Sequence, residues 1–226
     1  MQKVWRIFKR IFIFLFIFQF IYIFFCKWIN PPVTITQLVS FVKGYGLKRD
    51  YISYGQMSPN IKLAVMASED QLFPEHDGFD MKAIEKAIKY NENHPNRRRG
   101  ASTISQQVAK NVFLWQGGGF FRKGLEVYFT FMIEKLWSKR RILEMYLNVA
   151  ETGKGIFGVQ AASKAYFNKD AKNLTASEAA KIAASLPNPK MYTVKPISRK
   201  VQNRYDDIMR QMNNLHGDAD IQALIK

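Results

Sequence analysis

Cysteine is almost absent from this chain of 226 residues, where Cys26 stands alone, so no intrachain disulfide can form. With only three histidines beside it there is no Cys/His cluster for a structural zinc, and redox and zinc-assisted chemistry drop out. Acidic residues are scarce too. Eighteen Asp and Glu face 34 Lys and Arg, a formal charge of +16, and subtracting the five cations that flank an N-terminal apolar run (Lys3, Arg6, Lys9, Arg10, Lys27) still leaves +11. Such a surface seeks polyanions: nucleic acid, anionic lipid or a phosphorylated substrate. Repeats and low-complexity linkers are missing beyond residue 33, which leaves one ordinary domain plus an appendage.

What is present begins with that appendage. Ile11 to Cys26 (IFIFLFIFQFIYIFFC) is an uncharged run of 16 residues, about 24 Å long as a helix, with Gln19 its one strongly polar side chain. Snorkelling of Arg10 and Lys27, with Trp28 and Ile29 at the interface, extends it toward the roughly 20 residues a bilayer demands. A transmembrane helix is therefore expected over 11–29, after a cytoplasmic tail at 1–10 and before a linker and membrane-proximal segment at 30–54. Four cations precede the run and only Lys27 closely follows it, so the positive-inside rule places the N-terminus in the cytoplasm and the domain outside. A cleaved signal peptide is the rival reading, but Phe, Lys and Trp stand where a small-residue cleavage site belongs.

The remainder reads as mainly α. Ser58-Pro59 opens a helix through Met66 to Asp70, Asp80 opens another, and Ser102 or Thr103 caps a third. Thr175-x-x-Glu178 has capping-box spacing before an alanine-rich helix that Pro187 must end. Long helical patterns at 122–138 and 140–149 supply much of the core. Gly117, Gly118 and Gly119 interrupt an aromatic stretch and suggest a mobile apolar loop.

Three constellations carry chemistry. Glu69 and Asp70, followed by His76 and Gly78, put two carboxylates at the end of an apolar helix, where partial negative charge disfavours an anion by about 0.3–1 kcal/mol and suits a general base. Solvated loop acids and a structural histidine are the plainer alternative. Arg97-Arg98-Arg99-Gly100-Ala101-Ser102-Thr103 leads into a helix carrying Gln106, Gln107, Lys110 and Asn111. A helix start after a basic loop can hold phosphate, although an ordinary Ser cap beside solvated cations fits as well. Arg122, Lys123 and Glu126 share a helix face at the spacing of surface ion pairs.

Together these motifs resemble the peptidoglycan glycosyltransferase family, which also forms the N-terminal domain of bifunctional penicillin-binding proteins. The matching segments are Glu-Asp-x-x-Phe-x-x-His-x-Gly at 69–78, Gly-x-Ser-Thr-x-x-Gln-Gln at 100–107 and Arg-Lys-x-x-Glu at 122–126. Ser-Lys-x-x-Ile-Leu-Glu-x-Tyr-Leu-Asn at 138–148 and Gly-Val-Gln-Ala-Ala-Ser-Lys-Ala-Tyr-Phe at 158–167 continue the series. Ser105 stands where the family usually has Thr, and 115–121 matches poorly. Coverage runs from about residue 55 to 212, so a glycosyltransferase domain is expected over 55–226, with the monofunctional form implied because no transpeptidase domain follows.

The resemblance implies a lysozyme-like helical domain that joins lipid II to a growing glycan strand through β-1,4 bonds, with inversion and release of undecaprenyl pyrophosphate. It implies Glu69 as the base and Glu126 beside the leaving pyrophosphate. Lys110, Arg122 and Lys123 are the matching cations, Ser102, Gln106 and Gln107 the hydrogen-bonding partners, and Lys139 a further cation. Tyr146, Asn148 and Tyr166 match too but suit packing and polar networks. No cofactor is expected to bind tightly. A divalent cation, Mg or Mn, would come with the substrate pyrophosphate, since the sequence shows no dedicated metal cage. The expected setting is the inner membrane with the domain on the periplasmic side, in reach of cell-division or elongation proteins and without nucleic acid. Removing residues 1–29 should then impair encounter more than catalysis. A lysozyme-like hydrolase and a noncatalytic basic membrane protein compete with this reading. The basic pyrophosphate-binding set argues against the first, the three carboxylate-bearing motifs against the second.

Overall fold

A computed structural model describes residues 2–95 and 99–226. Helices carry most of it: α1 (Gln2–Cys26), α2 (Ile35–Val42), α3 (Pro59–Glu69), α4 (Met81–Asn93), α5 (Ile104–Phe113) and α6 (Phe120–Leu136), then α7 (Lys139–Val149), α8 (Val159–Phe167), α9 (Ala176–Ser185), α10 (Arg199–Leu215) and α11 (Ala219–Ile225). Strands β1 (Lys48–Arg49), β2 (Glu151–Gly153) and β3 (Ile156–Phe157) form a small sheet in the order β1-β3-β2, parallel on one side of β3 and antiparallel on the other.

The centre of the domain is α3. Ser58 caps it by accepting from Asn60 N, and Pro59 occupies the first turn, where its missing N–H costs nothing. Every residue from Ile61 to Ala67 is buried, because α9, α10 and α11 cover this helix from different sides. Each fully buried Ile, Leu or Met there contributes about 1.5–3 kcal/mol relative to exposure. The result is a rigid rod whose C-terminal residue is Glu69. A second layer packs α5 against α6 and α7, with Ile104, Val108, Ile133, Ile142 and Leu143 fully buried.

The expected caps are where the sequence puts them. Asp80 accepts from Ala83 N, Thr103 rather than Ser102 caps α5, and Thr175 with Glu178 forms the capping box that opens α9. Two motif glycines are required by backbone geometry. Gly78 has φ +90°, and a Cβ on it would lie 2.8 Å from Thr130 Cγ2. Gly158 has φ +81°, and a Cβ there would lie 2.5 Å from the Asn148 carbonyl oxygen.

The N-terminal region differs from its expected division. Helix α1 starts at Gln2 and stops at Cys26, so it includes the basic tail at 2–10 and excludes 27–29. Pro31 and Pro32 forbid a helical continuation, whereas Lys3, Arg6, Lys9 and Arg10 are good helix formers. By length and composition α1 can cross a membrane. Its end, however, belongs to the folded body: Ile23 and Cys26 are buried in the main core, and the Tyr22 ring meets Phe113 edge-on at 5.8 Å. Trp137 Nε1 donates to Ile23 O at 3.0 Å, Arg141 grips Cys26 O through Nε and Nη2, and Gln19 donates to Tyr128 OH at 2.6 Å. The segment read as a linker at 30–54 is likewise structured. Thr34 and Gln37 make a capping box for α2, and Arg49 enters the sheet beside Phe157. Elements of two to eight residues give periodicity too little length to register, which is why α2 and the sheet escaped the sequence reading.

Candidate active site

Glu69 ends α3 at the wall of a cavity of about 440 Å³ that it shares with Asp70, Gln71, Ser102 and Thr103. Its side chain is 12% exposed. One carboxylate oxygen accepts from Gln107 Nε2 at 2.9 Å, the other from Ser68 Oγ at 3.1 Å, and Arg204 Nη2 stands 3.7 Å away. Gln107 is itself oriented by Tyr146, whose hydroxyl donates to Gln107 Oε1 at 3.1 Å. Burial, followed by the charges of Glu69 and Asp70, pushes the Tyr146 hydroxyl well above its ordinary value, so it stays a donor.

Asp70, the neighbouring acid, has a different task. It is buried, accepts from His76 Nε2 at 2.9 Å and from Ile104 N at 2.9 Å, and so fastens the end of α3 to the start of α5. His76 Nδ1 accepts from Gly78 N at 3.1 Å, which puts the ring proton on Nε2, facing Asp70. Gly78 O then accepts from Thr103 Oγ1 at 2.7 Å. The Glu-Asp-x-x-Phe-x-x-His-x-Gly segment is thus one partly buried, cavity-facing acid mounted on a buried brace.

A second cluster lies on the first turns of α6. Glu126 is 2% exposed yet ionically matched: Arg122 Nη1 donates to one oxygen at 2.6 Å and Lys123 Nζ to the other. Lys110 projects from α5 into the field of both clusters. Burial lowers its proton affinity, the charge of Glu126 opposes that fall, Arg122 and Lys123 add to it, and Glu69 opposes it more weakly. Lys110 and Gln107 also line a smaller cavity of about 140 Å³ with Asn111, Tyr146 and Glu151. Gln107 therefore stands between the two hollows, one hand on Glu69. Arg122 Nε is buried with no acceptor among the described residues, an orphaned donor inside a cationic cluster.

Of the expected residues, Glu69, Ser102, Gln107 and Lys110 face these cavities, while Glu126, Arg122 and Lys123 form one ion cluster near Lys110. Gln106 does not join them. It is 3% exposed, and its Oε1 accepts from Thr103 N at 3.0 Å as the far half of the α5 capping box. Lys139 is placed elsewhere too, bonded to Glu134 at 2.9 Å and to the His76 carbonyl, over the Phe73 ring. Arg97 and Arg98 lie outside the described residues. Arg99 folds back onto α4, its guanidinium 3.7 Å from the Tyr90 ring centroid. Asn148 holds both backbone groups of Ile52, and Tyr166 donates to Thr152 O, so both take part in polar networks, one of the two readings the sequence left open for them. Sequence reasoning missed Arg204 and Ser68. Arg204 donates to Ser68 Oγ at 3.0 Å from α10, and no local spacing could announce a partner 136 residues away.

Among the described residues no group of three or more His, Cys, Asp or Glu could hold a metal ion. The nearest carboxylate to the cations, Glu126, is already matched by Arg122 and Lys123.

A cleft with one accessible acid, next to cations gathered round a buried glutamate, on a mainly helical domain with an apolar N-terminal helix, suits the class of enzymes that handle an anionic group. The comparisons with known proteins narrow that class. The profile of the family described as Transglycosylase matches residues 36–213. The chain is 59% identical over 171 residues to the biosynthetic peptidoglycan transglycosylase of Mannheimia succiniciproducens, covering 76% of this chain and 70% of that protein. It is 56% identical over 171 residues to the protein so named in Haemophilus influenzae, with the same coverage, and 54% over 178 residues to the one in Escherichia coli, covering 79% and 74%. The chain belongs to the transglycosylase family. Its match starts at residue 36, so α2 and β1, taken from sequence as a linker, fall within the family domain.

Proposed function

We propose that the protein polymerises lipid II into β-1,4-linked glycan strands, inverting the anomeric centre and releasing undecaprenyl pyrophosphate. The observation that carries the reading is the division of labour between two glutamates: Glu69 lines a cavity and is hydrogen-bonded by an amide and a hydroxyl, with one guanidinium at 3.7 Å, whereas Glu126 is buried and directly bonded by two cations. Glu69 takes the proton of the attacking sugar 4-hydroxyl as that oxygen bonds to the donor's anomeric carbon. The bond to pyrophosphate breaks, and the electron pair leaves on a stable anion that needs charge neutralisation rather than a proton, unlike the sugar alkoxide expelled by a glycosidase. Lys110, Arg122 and Lys123 supply that charge. Glu126 keeps the two α6 cations aligned while the site is empty.

A divalent cation, Mg or Mn, would arrive on the pyrophosphate instead of in a protein cage. The helix α1 would span the inner membrane with its basic end in the cytoplasm and the domain on the periplasmic side, so that enzyme and both lipid-linked substrates share one surface. The test is incubation of the full chain with lipid II in bilayers. Moenomycin-sensitive polymer that lysozyme digests is the expected product; release of fragments from finished glycan without any polymer would establish a hydrolase instead.

A further inference from the structure

Where α1 leaves the apolar run, a cavity of about 430 Å³ opens between its end and the start of α7, lined by Lys27, Trp28, Ser138, Arg140, Arg141 and Glu144. None of these residues lines the cavities of Glu69 or Lys110. Arg141 is structural: its donors hold Cys26 O, Asn30 Oδ1 at 2.9 Å and Glu144 at 3.2 Å. That contact also satisfies the one carboxylate of the cavity. Lys27 and Arg140 are different. Among the described residues neither has a carboxylate or carbonyl partner; Lys27 lies 5.3 Å from the Trp28 ring centroid and Arg140 4.6 Å from that of Tyr54. Ser138 Oγ accepts from Arg141 N and keeps its own proton to give.

Two unmatched cations and a hydroxyl thus surround a hollow at the foot of the membrane-crossing helix, beside Trp28 and Ile29, each 60% exposed. Trp at this level is an interfacial residue, and a lysine one position beyond the apolar run places its ammonium among head groups. We propose that this cavity binds the phosphate head group of an anionic phospholipid, with Lys27 and Arg140 on the phosphate oxygens, Ser138 donating to one of them, and the acyl chains lying along the exposed Phe24 and Phe25 face of α1. The site is separate from the reacting centre. It fastens the corner where helix α1 meets α7 to the bilayer, and it makes lipid composition a partner of the enzyme.

The intact chain is reconstituted in nanodiscs of phosphatidylcholine with a minor share of phosphatidylglycerol, and retained lipid is counted by native mass spectrometry. Wild type should retain phosphatidylglycerol selectively, and Lys27→Gln with Arg140→Gln should lower that retention about tenfold. The charge-matched pair Lys172→Gln with Lys200→Gln should leave it unchanged. Equal loss in both pairs would reduce the effect to bulk attraction and overturn the site. Displacement by inorganic phosphate or by lipid II would overturn the assignment to a phospholipid. Should Arg140→Gln unfold the chain, Lys27→Gln alone must still lower retention, since Lys27 contacts no core residue through its ammonium, and full retention by it rejects the proposal. Because binding is read without turnover, a failure of the polymerase reading leaves this result standing.

Discussion

Glu69 and Glu126 are the same side chain in opposite settings. Glu69 sits at a helix end, 12% exposed, touched by an amide and a hydroxyl; Glu126 sits on the first turns of a helix, 3% exposed at its side chain, clasped by a guanidinium and an ammonium. Neutral donors orient the Glu69 carboxylate, and its one cationic neighbour, Arg204, stays at 3.7 Å. Direct ion pairs commit a carboxylate to its partners, which is the ground for the scaffold role proposed for Glu126. Accessibility and the closeness of cationic partners, rather than residue type, distinguish the proposed base from the proposed scaffold.

The largest effect should come from Glu69→Gln, which keeps shape and hydrogen bonds but removes the basic oxygen. Polymerisation should fall by about two to four orders of magnitude in kcat with the thermal midpoint nearly unchanged. Wild-type turnover by that variant would end the assignment of Glu69 as base. Glu126→Gln should act on binding and fold together. Two cations lose their counter-charge inside the protein, Arg122 at 14% exposure being the more costly, so the midpoint should drop and kcat/KM should fall by about a hundredfold, mostly through KM. A pure kcat loss with unchanged stability would break the contrast between the two acids.

Local signals made much of this legible. Caps at Ser58, Asp80, Thr103 and Thr175 sit within one turn of the backbone groups they satisfy, so spacing alone locates α3, α4, α5 and α9. The Arg122–Lys123–Glu126 cluster is equally local, being one helix face. What spacing could not show is which of several polar residues in a motif turns outward. Gln106 and Gln107 are adjacent in sequence, yet one closes a capping box and the other holds Glu69, because successive helical residues point about 100° apart. Nor could it show that α1 ends inside the core. Deleting residues 1–29 removes Ile23 and Cys26 from the main cluster and leaves Trp137 Nε1 and Arg141 without Ile23 O and Cys26 O. That truncation should lower stability as well as encounter, an effect the sequence expectation did not address.

A smaller effect sharpens the orienting role of neutral donors. Gln107→Leu deletes the 2.9 Å bond to Glu69 while the buried Tyr146 hydroxyl loses its acceptor. A loss of about tenfold in kcat is expected, roughly the worth of one hydrogen bond to a charged group, with KM little changed. Gln107→Glu should do worse, since it sets a second anion against Glu69. Equal behaviour of the two variants would mean that Gln107 only fills space.

The smallest effect concerns Lys110, which lies in the field of both acids. Burial outweighs the attraction of Glu126 and Glu69, so the folded chain holds the Lys110 proton less tightly than the unfolded chain, whose value is the ordinary 10.5. The sign follows from linkage. The unfolded state binds more protons across that window, so the penalty is fully present below the folded value and fades as pH rises toward the ordinary one. Lys110→Met should therefore raise the thermal midpoint by about 1–3 °C at neutral pH and flatten its alkaline dependence. A lower midpoint would mean that the ammonium is net stabilising in the empty site. Lys110 would then belong with the scaffold around Glu126 and not with the charges held ready for pyrophosphate.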